Sequence, residues 1–150
     1  MRAILFTVWL TLLVATSSQA ADGMIDIESA YTVTETANRI ETTLKEKGMT
    51  VFNRINHGQA AEQVDIKLRD TELIVFGNPR VGSPLMQCQQ SVGIDLPQKM
   101  LMWQAADGKV WVSYNDPDYL VQRHDIKGCE QELATVAKAL ASIAQSVAKK

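Results

Sequence analysis

Residues 71–117 read TELIVFGNPRVGSPLMQCQQSVGIDLPQKMLMWQAADGKVWVSYNDP, and the fold is decided inside them. Leu73-Ile74-Val75-Phe76 is apolar at four consecutive positions, as expected of a strand inside a sheet and covered on both faces. Gly77-Asn78-Pro79 ends that run. Two later runs, Lys99 to Gln104 and Val110 to Tyr114, read as strands joined through Ala106-Asp107-Gly108, a hairpin signal. Ser83-Pro84 and Asp116-Pro117 each put a capping side chain before a proline at the first helical position. Helices are therefore expected from Pro84 to about Gln90 and from Pro117 to about His124. Trp103 and Trp111 read as packing anchors, and Met86, Met100 and Met102 as core filler, not a copper site.

Upstream, residues 21–29 read as a polar lead-in, and a short strand is expected around Ala30 to Val33. Val33, Ala37, Ile40 and Leu44 then recur at helical spacing, with charged residues opposite. Thr32-Val33-Thr34-Glu35 fits a capping box and Lys47-Gly48 a stop. Met49 to Asn56 reads as a half-buried strand with Val51 and Ile55 on one side, which places His57 on that side too. One or two helical turns follow from Gly58 to Val64, with Ala60, Ala61 and Val64 inward. Downstream, Glu130 to Lys149 carries Leu133, Val136, Ala137, Leu140, Ile143, Ala144 and Val147 on one stripe, a long amphipathic helix that must cover a sheet or a partner. A single long helix between the first two strands and a later hairpin predict an α+β sandwich. Its sheet is mainly antiparallel, with helices packed on one face.

The chain of 150 residues opens MRAILFTVWLTLLVATSSQA. Arg2 precedes an uncharged run, and small residues at Ser18 and Ala20 suit a signal peptidase, so cleavage is expected after Ala20. The alternative is an uncleaved membrane anchor; the apolar run is shorter than the ~20 residues a span needs. A single globular domain over residues 30–150 is expected, exported to the periplasm or secreted, with no membrane association once the leader is gone. The formal charge of -2, with no basic run, argues against nucleic acid as a partner. Cys88 and Cys129 are the two cysteines, and in an oxidising compartment such a pair reads as a disulfide. Two free thiols, or a metal held with His57 or His124, are the alternatives. Neither cysteine has a second ligand at metal-binding spacing, so no metal is expected.

Thr71-Glu72-Leu73, FGNPRVGSPLM (76–86), IDLP (94–97), VWVSYNDP (110–117) and RHDI (123–126), in that order, resemble the domain-of-unknown-function family 302. The resemblance runs over roughly residues 30–144. It implies a compact β-α-β(4)-α fold, the order read above, and brings no established activity, substrate or cofactor.

The loop from Gly77 to Pro84 is the best site candidate. A helix N-terminus offers unpaired N–H groups and partial positive charge to an anion. Arg80 and the Ser83 hydroxyl would add charge and a donor, and Asn78 and Asn115 would complete a polar rim at strand ends. The plainer reading makes Ser83 a cap, Gly82 a turn residue and Arg80 a solvated charge. There is no GxxxxGK[ST] phosphate loop. His57 and His124, the two imidazoles, could do acid–base work with Glu72 if they met; a dipole role at a helix end is enough to explain His124 alone. Ser83 or Ser91 as a nucleophile lacks a GxSxG elbow, and Cys88 as one conflicts with the disulfide. The expectation is thus a non-enzymatic binding or accessory module, without a cofactor, for a small anionic ligand or a partner peptide. The ligand-binding residues would be Asn78, Arg80, Ser83 and Asn115. The alternatives are an acid–base enzyme using His57, Glu72 and His124, or a domain that self-associates as a homodimer through the hairpin's edge strand or the terminal helix.

Overall fold

The computed structural model describes residues 21–148; the expected leader over residues 1–20 lies outside the described residues. Five strands form one sheet in the order β1-β5-β4-β3-β2, and every neighbouring pair is antiparallel. They are β1 (Met24–Ser29), β2 (Thr50–Asn56), β3 (Thr71–Gly77), β4 (Gln98–Gln104) and β5 (Val110–Asn115). Helices α1 (Val33–Glu46), α2 (His57–Glu62), α3 (Pro79–Cys88), α4 (Pro117–His124) and α5 (Glu130–Gln145) complete the order, with a 3-10 turn at Gln90–Ile94. The α+β sandwich of β-α-β(4)-α type is what the sequence led us to expect.

Helix α1 forms where the periodicity placed it. Thr32 caps it by accepting from the Glu35 N–H at 3.3 Å, and Val33, Ala37, Ile40 and Leu44 are buried. That stripe lies on β2, β3 and β4, while α5 turns Val136, Leu140, Ile143 and Ala144 into the same core. Cross-strand partners share a face of a sheet. Ile74 stands opposite Met100 and Met102 opposite Val112, and all four are buried beneath the helices.

The other face carries Ile55, Leu73, Leu101, Trp103 and Trp111, all half-buried. Trp103 stands directly opposite Trp111, and its Nε1 donates to Ser113 Oγ at 2.7 Å. The expectation that β3 is covered on both sides is therefore corrected. Its exposure alternates residue by residue, because the helices pack on one face alone.

Other expectations shift as well. The polar lead-in is a strand: β1 begins at Met24 and pairs with β5, because Ile25 and Ile27 alternate against Tyr114 and Val112. The hairpin strands β4 and β5 are interior, so the sheet's edges are β1 and β2. In β2 a bulge at Phe52 puts Val51 opposite Phe76 but Ile55 opposite Leu73, on the other face. An alternating pattern cannot reveal that extra residue. Helix α2 buries Gly58 and leaves Ala60 and Val64 exposed, so its expected inward face does not form.

Candidate functional site

The largest correction falls on residues 78–84. Helix α3 starts at Pro79, five residues before Pro84, and Asn78 is its cap: the Asn78 side-chain oxygen accepts from the Arg80 N–H at 2.9 Å. Pro79 fills the first helical position, where no N–H is needed. The helix then runs through Pro84, although an interior proline removes one of its hydrogen bonds. Ser83 is therefore not a cap, and Gly82 sits in the helix without a positive φ. The N–H groups of Val81 and Gly82 both donate to the Asn78 carbonyl, at 2.9 and 3.0 Å. With Arg80 N–H taken by the cap and Pro79 having none, the backbone of this helix start has no spare N–H for an anion.

What the segment builds instead is a cleft. It opens between α3, the residues leading into β4, the end of β3 and α5, with a volume of about 250 Å³. Its walls are apolar: Val81, Leu85 and Met86 from α3, Leu96 and Pro97 before β4, Phe76 from β3, and Val136, Leu140 and Ile143 from α5. Gly82 and Gly93 keep opposite walls open, since a side chain at Gly82 would reach Leu96 and one at Gly93 would reach Met86. Among the polar liners are Asn78, Ser83 and Gln98. The Gln98 carboxamide nitrogen is buried and has no hydrogen-bond partner among the described residues. Nearly all buried donors in folded proteins are paired, so an orphan on a residue that lines an apolar cleft is a candidate partner for a ligand acceptor or a water.

Of the four residues expected to form a rim, Asn78 and Ser83 line this cleft. Arg80 is exposed on the adjoining first turn of α3. Asn115 ends β5 at the same end of the sheet but does not line the cleft. Cys88 and Cys129 come together as a disulfide, Cα atoms 6.4 Å apart, tying the end of α3 to the residue preceding α5 and so joining two cleft walls.

The acid–base set does not converge. Glu72 is buried near the start of β3. Its Oε2 accepts from Arg54 Nε and Nη2, both at 2.7 Å, and its Oε1 from Thr34 Oγ1 at 3.0 Å. Arg54 also reaches Asn38 at 2.7 Å and Glu41 at 3.3 Å. Hydrogen bonds from Lys45 and then Arg54 outweigh burial and hold the Glu41 carboxyl below its ordinary range. His57 is exposed at the start of α2, near the same end of the sheet. His124 lies at the other end, where the chain enters β4: its Nε2 is 2.6 Å from Asp95 Oδ2, and its Nδ1 is 3.0 Å from Ser91 Oγ. Glu72 is thus an internal tie between β2, β3 and α1, and His124 has partners of its own. Linear spacing gave no sign that residues 91, 95 and 124 meet, nor that Gln98 faces a cleft.

Residues 25–147 match the family model described as Domain of unknown function DUF302. Fluoride-specific ion channel FluC 1 of Brucella suis biovar 1 is 43% identical over 115 residues, covering 77% of this chain and 45% of that protein. FluC 2 of Brucella melitensis biotype 1 is likewise 43% identical, with 42% of its length covered. The chain thus spans less than half the length of the curated relatives it matches. Among solved structures, the crystal structure of an uncharacterized conserved protein DUF302 from Bacillus stearothermophilus superposes with a TM-score of 0.76. It covers 85% of this chain and 99% of that one at 20% identity, a likeness of fold.

Proposed function

The chain belongs to the DUF302 family of domains of unknown function, and on that premise we propose that it is a binding module. Its cleft between α3 and α5 takes a small ligand with an apolar body and a polar or anionic end. The observation that carries this reading is the unpartnered Gln98 amide nitrogen in a wall that is otherwise almost wholly apolar. An apolar tail would replace water along Leu85, Leu96 and Leu140, while a carboxylate oxygen accepting from the Gln98 amide N–H, with Ser83 beside it, would satisfy the buried donor. Arg80, exposed on the adjoining turn, favours a negative end over a neutral one through its field alone. The ligand is small: a cleft of about 250 Å³ suits a fragment of roughly ten heavy atoms. Ligands of that size bind at about 0.1–1 mM unless every contact is near ideal.

The Cys88–Cys129 pairing supports work outside the reducing cytosol, in line with the leader expected over residues 1–20. In the Brucella relatives the matched region makes up 42–45% of a protein named as a fluoride channel, which favours an accessory role beside another activity.

A thermal-shift series of straight-chain carboxylates tests the reading. We expect the melting temperature to rise with chain length to an optimum near octanoate and fall beyond it. Gln98→Leu should abolish the preference for carboxylate over the matching alcohol, and Arg80→Ala should weaken carboxylate binding 2- to 5-fold at low salt, about what a partly screened charge contributes. No chain-length dependence would remove the proposal.

A further inference from the structure

We propose a second site, separate from the cleft: Ser91, His124 and Asp95 form a nucleophile–base relay that hydrolyses small esters with an apolar acyl group. His124 closes α4, and its side chain is 6% exposed. Asp95 Oδ2 lies 2.6 Å from its Nε2, with Arg123 Nε 3.5 Å from the same oxygen. A carboxylate only accepts, so in the neutral ring Nε2 carries the proton and Nδ1 presents its lone pair. The Ser91 hydroxyl, 3.0 Å from Nδ1, then donates to it. This is the order carboxylate, imidazole, hydroxyl on which serine hydrolases depend, with the two ring nitrogens exchanged; such relays are recognised by geometry and roles, not by sequence position.

Ser91 is exposed on the 3-10 turn Gln90–Ile94, so a substrate carbonyl can reach its Oγ. Residues three apart on a 3-10 helix lie on the same side, which sets Ile94 beside Ser91, and Ile94 is 74% exposed. A large apolar side chain standing in water next to the nucleophile selects an acyl chain over a charged one.

The Ser91 hydroxyl proton passes to His124 Nδ1 as Oγ bonds to the acyl carbon. The bond from that carbon to the alkoxy oxygen breaks, and the leaving alcohol takes the proton from Nδ1. Water repeats the sequence: it gives a proton to Nδ1, its oxygen bonds to the acyl carbon, and Ser91 Oγ leaves with that proton. Ser91 and His124 are the catalytic residues, and Asp95 is a positioning residue that fixes the ring and its tautomer.

The test is labelling of the full chain with a short-chain alkyl fluorophosphonate, followed by peptide mass spectrometry and by the rate of p-nitrophenyl butyrate cleavage. The expected result is one adduct, on Ser91, absent in Ser91→Ala. His124→Gln should slow labelling roughly 100-fold, the usual worth of a general base. Asp95→Asn should slow it about 10-fold and Asp95→Glu recover part of that loss, which a merely structural carboxylate would not do. Ser91→Ala alters an exposed hydroxyl and should melt as the wild type does, so a folding defect cannot mimic its effect. Absence of an adduct on Ser91, or an unchanged labelling rate in folded His124→Gln, would overturn the proposal.

Discussion

Arg54 grips Glu72 from the neighbouring strand, Nε and Nη2 each 2.7 Å from the one carboxylate oxygen, and Glu72 keeps 4% of its side chain exposed where Arg54 keeps 27%. A buried carboxylate without its partner is the costly case; the intact pair by itself stabilises little. Arg54→Ala should therefore lower unfolding stability in urea by about 2–4 kcal/mol, reduced from the fully buried figure because the guanidinium is partly hydrated. Glu72→Gln, which keeps the shape and removes the charge, should cost less. Equal losses in the two variants would show that packing, not the buried charge, is at stake.

The disulfide ties the end of α3 to the residue before α5. Closing a loop of this length restricts the unfolded chain, so the Cys88→Ser/Cys129→Ser double variant should lose about 2–4 kcal/mol. A thiol assay on the unfolded, unreduced wild type should find no free sulfhydryl. Two reactive thiols there would contradict the bridge.

Gly82 lies in the body of α3, and a methyl added there meets Leu96 Cδ1 at 3.6 Å, an ordinary contact. Gly82→Ala should thus raise stability by about 0.5–1 kcal/mol through helix propensity and reduced freedom of the unfolded chain. Gly82→Leu should keep the fold and fill the cleft. Loss of stability in Gly82→Ala would mean that the backbone at this position needs glycine for another reason.

Burial first, and the nearby Asp116 charge second, push the Tyr114 phenol above its ordinary value of 10.0. The unfolded chain ionises near the ordinary value while the folded one stays neutral. Stability from this group is therefore whole below about pH 10 and drains away as pH rises toward the folded value. Tyr114→Phe should flatten the alkaline limb of the stability curve above about pH 10. An unchanged slope would place the alkaline loss in other groups.

Much of this architecture was legible in the residues. Val33, Ala37, Ile40 and Leu44 announced α1, the Asp107-Gly108 turn announced the hairpin, and Asp116-Pro117 announced α4, because in each case local chemistry and tertiary packing agree. The rest was hidden where they compete. Asn78-Pro79 and Ser83-Pro84 are both valid helix starts, and burial of Leu85 against the core selected the first at the cost of an interior proline. The bulge at Phe52 moved Ile55 to the open face, an event no pattern of period two can register. The cleft is assembled from β3, α3, residues 93–98 and α5, and the contact of His124 with Asp95 spans 29 positions, so both sites depend on tertiary folding.

The cleft can be addressed directly by titrating octanoate into the isotopically labelled protein and following amide chemical shifts. The account predicts saturable shifts concentrated at residues 81–86, 96–98 and 136–143, absent in Gly82→Leu, and no comparable shifts with octanol in the Gln98 side-chain amide. Shifts scattered over the surface, or the same saturable response in Gly82→Leu, would contradict it.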